Sequence, residues 1–236
     1  MKAFLLAAGL GTRLKPLTDR VPKCLLPIRE TPLLGIWFEL CRQHGITEVL
    51  VNAHSHVGMV KDYVANSKAG LSIRVSEEPT LLGSAGTLRA NYDWVASEPE
   101  FFVLYADVLT NVDLTELLEF HRERDVAATI GLYEVTNPSQ CGIVSVDQDG
   151  MVRDFVEKPA KPASNLAFTG VLVASHAIFE SVPKIAPADI GFDVLPKLIG
   201  RMAAYKVSDY LVDIGTVEKY ERAQTNWPGL RHVGAR

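Results

Sequence analysis

"LLAAGLGTRLKPLTDRVPKCLLPI", Leu5 to Ile28, runs from an apolar strand directly into glycine, arginine, lysine and proline. A strand that opens a series of alternating apolar and amphipathic segments belongs to an α/β sheet, and its carboxyl end delivers the next residues to the crevice where such sheets bind ligands. Everything after Ala7 therefore stands at a mouth. Gly9 and Gly11 permit positive φ and close approach, so successive amides can turn toward one anion. Arg13 and Lys23 add full positive charge, and a guanidinium can bind phosphate through two parallel hydrogen bonds. A polyphosphate is the guest these residues suit. Two familiar phosphate loops do not account for the stretch: GxxxxGK[ST] is absent, and GxGxxG fails because Leu14 stands at the third glycine.

The rest of the composition bounds this reading. The 236 residues, 47% hydrophobic and 22% charged, with mean hydropathy +0.10, describe a globular chain able to bury a substantial core. A net charge of -4 gives no general attraction to nucleic acid or to an anionic membrane, so neither is expected as a partner and an anionic ligand needs local positive charge. Cys24, Cys41 and Cys141 are isolated, without CxxC spacing, and read as reduced thiols of a cytoplasmic protein. "MKAFLLAAGLG" imitates a signal peptide, but its apolar run is short and meets Arg13 rather than a cleavage site. No stretch approaches a membrane span. Assembly into a homo-oligomer is left open.

Strands are expected at Lys2 to Ala7, Glu48 to Asn52, Leu71 to Ser76 and Phe101 to Ala106, with helices at Pro32 to His44, Val57 to Asn66, Ala85 to Val95 and Leu114 to Arg124. The second half changes to strand after strand: Ala127 to Val135, Ile143 to Val146, Val152 to Val156 and Phe168 to Ala174. Helical segments come next at His176 to Ser181 and Phe192 to Gly200, then a strand-turn "YLVDIGT" and a polar terminal helix. No repeat, low-complexity tract or linker interrupts the chain, and the proline-rich "KPAKPAS" reads as a loop. A single domain over 1–236 is expected, with a Rossmann-like α/β fold whose sheet is mixed and mostly parallel, with helices on both faces.

The opening run, written LAAG-x-GTRL-x-PLT-x-x-x-PK-x-LLPI, resembles the signature of the sugar-1-phosphate nucleotidyltransferases, and "LGSAGTL", Leu82 to Leu88, resembles the "LGTAGAL" of the mannose-1-phosphate guanylyltransferases among them. The resemblance covers residues 2 to about 223. It implies a glycosyltransferase-A-like domain, here expected to lack a C-terminal β-helix. It also implies nucleotide contacts from Leu6, Ala7, Ala8, Gly9, Gly11, Thr12 and Arg13, and phosphate charge supplied by Lys23. "FFVLYADVLT" ends on Asp107, matching the family's metal-binding "GD" aspartate with Ala106 at the usual glycine. "YLVDIGTVEKY" resembles "YWLDIGTPEDY", which makes Asp213 the second metal-binding carboxylate. "DFVEKP" assigns Glu157 to the sugar and Lys158 to its phosphate, "CGIVSVD" assigns Gly142 to the sugar, and "AFTG" assigns Thr169 the same role.

Either aspartate alone would suit a helix cap as well as a metal. Two carboxylates from separate strands, facing a basic glycine loop, describe an oxygen-coordinated Mg²⁺ that bridges triphosphate and substrate phosphate. The pair His54 and His56 has no further Cys or His at zinc-ligand spacing. Asn52 and His54 follow a strand and stand where substrate contact is open to them. The implied reaction is attack of a sugar-1-phosphate oxygen on the α-phosphorus of a nucleoside triphosphate, giving a nucleotide-sugar and releasing pyrophosphate.

The base is expected to be read by "EEPTLLGSAGTL", Glu77 to Leu88, including Gly83 and Ser84. Many uridylyl and thymidylyl members carry glutamine five residues before that glycine; here the position is Glu78, a carboxylate that only accepts hydrogen bonds. Guanine offers two adjacent donors, whereas uracil and thymine offer one donor between two acceptors. GTP is therefore the expected nucleotide, and mannose-1-phosphate the expected sugar through the resemblance. Heptose-1-phosphate guanylyl transfer, glucose-1-phosphate thymidylyl or uridylyl transfer, and an inactive nucleotide-sugar-sensing subunit are the alternatives.

Overall fold

The computed structural model describes residues 1–231. The chain forms two compact units, each assembled from separated segments. The first comprises Met1–Leu81, Leu104–Leu114 and the chain from Asp209 onward; the second comprises Leu82–Val103 and Thr115–Ser208.

In the first unit the strand Lys2–Leu6 pairs in parallel with Glu48–Ala53, Lys2 opposite Glu48 and Leu6 opposite Asn52. Glu48–Ala53 pairs in parallel with Ser72–Glu77. Ala3, Phe4, Leu5, Val49, Leu50 and Val51 are fully buried, as expected for strands of a parallel sheet covered on both faces. The helix Leu33–Gln43 follows Pro32, which holds extended backbone at its start, and the chain leaves it through Gly45 at φ +71°. That is the proline-start, glycine-stop asymmetry that marks this helix in the sequence. A short antiparallel ribbon sets Leu211–Asp213 against Val108–Thr110, with Asp213 opposite Val108.

The basic opening loop is fastened by its apolar members. Leu14, Leu26 and Ile28 are buried in one cluster with Leu33, Ile36, Leu109, Ile214, Ala223 and Trp227. The terminal helix Val217–Asn226 closes over the loop: Tyr220 Oη and Gln224 Nε2 both donate to the Pro27 carbonyl, each at 2.7 Å. Leu14 and Leu26 are therefore core residues of this charged loop, whereas Leu10 and Leu17 are exposed.

In the second unit Ala128–Glu134 lies between Leu166–Ser175, antiparallel to it, and Met202–Lys206, parallel to it. Gly142–Val146 pairs antiparallel with Val152–Glu157. The sheet is mixed, as expected, with helices accompanying it. Two features depart from expectation. The predicted helix Ala85 to Val95 is two pieces, Ser84–Ala90 and Tyr92–Val95, because the Asn91 side chain donates to the Thr87 carbonyl at 3.0 Å and competes with helical continuation. Met202–Lys206, with two alanines and no apolar alternation, carries little strand signal; its pairing with Ala128–Glu134 makes it a strand. Among the described residues, no helix is long and apolar enough to cross a membrane.

Cys24, Cys41 and Cys141 form no disulfide among the described residues. Burial pushes Cys24 up to about 12 and raises Cys41 further, so both are held as neutral core thiols.

Candidate active site

The first unit gathers the basic loop and both aspartates. Gly11 adopts φ +62° and a Cβ there would stand 2.9 Å from Thr18 Cγ2, while Thr18 Oγ1 donates to the Gly11 carbonyl at 2.8 Å. Glycine is required at 11 by both conformation and space. A Cβ on Gly9 would meet nothing within 4 Å, so the protein itself imposes no steric need for that glycine. The Thr12–Leu14 turn then projects Arg13 as an exposed residue.

Strand Glu100–Tyr105 leads into the turn that carries Asp107, and the Asp107 carbonyl accepts the Ile214 amide at 2.9 Å. That bond ties the turn after one strand to the residue following Asp213. Ala106 is fully buried, so the methyl at the usual glycine position is accommodated. Lys23 Nζ lies 2.6 Å from Asp107 Oδ2 and 3.9 Å from Asp213 Oδ1. The two carboxylates that the sequence singles out thus share one ammonium. A Cβ on Gly215 would stand 2.8 Å from Asp213 Oδ2 and 3.2 Å from Arg13 Nη2. A side chain at the glycine of "DIG" would crowd both Asp213 and Arg13.

Lys219, which the sequence reading does not assign, joins this group. Its Nζ pairs with Asp213 Oδ2 at 2.9 Å. The available signal was electrostatic: a lysine in the first turn of a helix opposes the macrodipole and needs a nearby anion.

A buried relay stands behind the loop. The Ala7 amide donates to Asn52 Oδ1 at 2.6 Å, and Asn52 Nδ2 donates to Glu78 Oε1 at 2.8 Å. Glu78 is 2% exposed, and its carbonyl meets His54 Nδ1 at 2.8 Å. Asn52 and His54, expected as open to substrate, are thus engaged with the segment that carries Glu78. His56 instead precedes the helix Val57–Ala65 at φ +52°.

The second unit gathers the expected sugar residues. Glu157 Oε2 sits 2.6 Å from where a Cβ on Gly142 would be and 2.5 Å from where one on Gly191 would be. Two glycines therefore leave room for one carboxylate. Burial raises the Glu157 pKa above the ordinary glutamate value; Lys158 opposes that shift and Asp189 adds to it. Lys158 Nζ lies 3.6 Å from Glu157 Oε1 and 5.6 Å from the centre of the Phe192 ring.

Asp189, also unassigned by the sequence, accepts the Gly191 and Phe192 amides at 2.8 and 3.1 Å. Ser84 Oγ donates to Asp189 Oδ2 at 2.9 Å and accepts the Ile190 amide at 2.7 Å. Gly83, at φ +76°, packs against the Ala188 carbonyl. Gly83 and Ser84, expected at the nucleotide, thus hold the segment that carries Gly191. Thr169 differs from the other expected sugar residues. It is 3% exposed and its Oγ1 accepts the Val171 amide at 3.1 Å, inside the register shift between Phe168 and Leu172.

The acidic pair suits Mg²⁺ by its donor chemistry. Among the described residues, no group of three or more His, Cys, Asp or Glu side chains could hold a metal. A cation bound here would take two protein carboxylates and complete its shell with water and phosphate, which is how Mg²⁺ is ordinarily held.

The nucleotidyl transferase family profile matches residues 2–228. The chain is 33% identical to a UTP–glucose-1-phosphate uridylyltransferase of Synechocystis sp., covering 100% of this chain and 64% of that protein. It is 33% identical to a rice (Oryza sativa subsp. japonica) protein named "Probable mannose-1-phosphate guanylyltransferase 1", covering 93% of this chain and 63% of that one. The chain thus spans a little under two thirds of the length of these relatives. A solved UDP-glucose pyrophosphorylase complexed with UDP-glucose superposes with a TM-score of 0.84 at 23% identity, over 96% of this chain and 97% of that one; that likeness concerns the fold.

Proposed function

This chain belongs to the nucleotidyl transferase family, and on that premise we propose that it transfers a nucleotidyl group from a nucleoside triphosphate to a sugar-1-phosphate and releases pyrophosphate. The observation that carries the proposal is the shared ammonium: Lys23 lies within 4 Å of both Asp107 and Asp213, and Arg13 borders the same carboxylate across Gly215. We take residues 1–236 as a single nucleotidyltransferase domain; the family profile over residues 2–228, and the building of each compact unit from separated segments, support that reading.

The attacking oxygen of a sugar-1-phosphate is already anionic, so the reaction needs no general base and no covalent enzyme intermediate. What it needs is positioning and charge stabilisation. Arg13 and the Gly9 to Thr12 amides hold the β- and γ-phosphates. Asp107 and Asp213 would hold a divalent cation, taken as Mg²⁺, which would supply positive charge to the α-phosphate. Lys23, in the first unit, supplies positive charge to substrate phosphate; in the second unit Lys158 meets the sugar phosphate, and Gly142 and Glu157 meet the sugar.

GTP is the favoured nucleotide. Glu78 is an acceptor only, and at 2% exposure an acceptor facing another acceptor is costly, about 1–3 kcal/mol for an unsatisfied buried group. Mannose-1-phosphate is the favoured acceptor substrate, with heptose-1-phosphate next. Replacing Asp107 or Asp213 by Asn should abolish most pyrophosphate release while leaving the melting temperature near that of the wild type. Full turnover of either variant at ordinary Mg²⁺ concentration would overturn the assignment.

A further inference from the structure

The pair of aspartates is already matched by positive charge. Lys23 Nζ stands 2.6 Å from Asp107 Oδ2, and Lys219 Nζ stands 2.9 Å from Asp213 Oδ2. A divalent cation arriving at these carboxylates meets two ammoniums as well as two anions, and like charges at such range repel strongly in a partly buried site. One ammonium has to withdraw.

The two lysines differ in their freedom to do so. Lys23 is 10% exposed, among the residues that anchor the opening loop, whereas Lys219 is 44% exposed. Lys219 also occupies the first turn of Val217–Asn226, where the helix dipole disfavours a cation, so Asp213 is what holds its ammonium in place. Its backbone is secured independently, since Thr216 Oγ1 accepts the Lys219 amide at 3.3 Å. Arg13 Nη2 and the Asp213 carboxylate border the same point beside Gly215. A side chain leaving Asp213 therefore has only a short distance to travel to reach phosphates held by Arg13.

We propose that Lys219 is a displaceable counterion: it neutralises Asp213 in the ligand-free site, leaves when the metal arrives, and then pairs with the nucleotide's phosphates. Metal and nucleotide consequently load together, and the ligand-free protein binds metal weakly. This inference rests on the metal assignment of the preceding subsection.

The test is Mn²⁺ binding by calorimetry or electron paramagnetic resonance, on the whole chain, with and without a non-hydrolysable α,β-methylene analogue of GTP. Without nucleotide, Lys219→Met should bind Mn²⁺ about tenfold more tightly than wild type, because the competing charge is gone. Lys219→Arg should retain the weak wild-type affinity. With the analogue present, the gain in Mn²⁺ affinity should be larger in wild type than in Lys219→Met, because only the wild type has an ammonium to hand to the phosphates. Melting temperatures within a few degrees of wild type establish that the variants fold. Mn²⁺ affinity of Lys219→Met within twofold of wild type, with binding lost in Asp213→Asn, would overturn the counterion role alone. Mn²⁺ binding that survives Asp213→Asn would overturn the metal assignment and the inference with it.

Discussion

Glu78 accepts from Asn52 and is proposed to read the base as well, and two substitutions tell these tasks apart. Glu78→Gln keeps an oxygen that can accept from Asn52, so the chain from Asn52 to the Ala7 amide is preserved while the acceptor-only character is lost. It should narrow a wild-type preference for GTP over UTP and dTTP of at least about tenfold in kcat/KM, where 1.4 kcal/mol is one decade. Glu78→Ala breaks the relay as well and should reduce use of all three nucleotides together. An unchanged GTP preference in Glu78→Gln, measured by pyrophosphate release, would assign the residue to support of the loop only. At this scale the sequence is informative where a side chain works through charge. Arg13 and Lys23 can be picked out as the basic residues of a glycine-containing loop after a strand, whereas Asp107 and Asp213 are singled out through the family resemblance, since either aspartate alone would suit a helix cap. Thr169 and Lys219 illustrate the converse. A threonine buried in a strand irregularity looks in one dimension like a threonine at a ligand, and the pairing of Lys219 with Asp213, only six residues earlier, is set by the turn between ribbon and helix.

At the scale of elements, the two ends of the chain hold one another. Leu14 is fully buried in the cluster that joins the opening loop to Ile214, Ala223 and Trp227. Leu14→Ala should destabilise by about 2–5 kcal/mol, the usual range for emptying a buried leucine site; denaturant unfolding checks this, and a loss below about 1 kcal/mol would mean that the loop is not anchored there. The segment around Gly191 gives a prediction of a different kind. A methyl at 191 would stand 2.5 Å from Glu157 Oε2 and 3.0 Å from its Cδ, so the carboxylate must turn away. Gly191→Ala should raise the KM for sugar-1-phosphate about tenfold with little change in the KM for nucleotide; equal defects toward both substrates would argue against the sugar role of Glu157. Strands and helices with full burial or clear punctuation are legible in sequence, as Lys2–Leu6 and Leu33–Gln43 are. Met202–Lys206 is not, because its strand character comes from Ala128–Glu134 beside it rather than from its own residues. The wide and tight turns of Ile190–Val194 and Leu195–Leu198 were visible only as a helical tendency from Phe192 to Gly200. The Asp189 cap that opens them depends on an aspartate whose second oxygen is taken by Ser84, 105 residues away.

At the scale of the molecule, a chain of net charge -4 is assigned a highly anionic substrate, and the two are reconciled by where the positive charge lies. Arg13, Lys23 and Lys219 lie with both aspartates in the first unit, and Lys158 with Glu157 in the second. The fold class was legible because the opening strand and loop sit at the start of a parallel arrangement whose carboxyl ends carry ligands. The division into two units was not, because their segments alternate along the chain without any linker composition to mark the crossings.

The central claim is nucleotidyl transfer to a sugar-1-phosphate, and its most direct measurement is pyrophosphate release by the purified protein with each nucleoside triphosphate against a panel of sugar-1-phosphates. Release is predicted only when nucleotide, sugar-1-phosphate and divalent metal are all present, with one nucleotide-sugar formed per pyrophosphate and the highest kcat/KM for GTP with mannose-1-phosphate. Nucleotide binding without pyrophosphate release from any pair would contradict the claim and describe a nucleotide-sugar-sensing subunit instead.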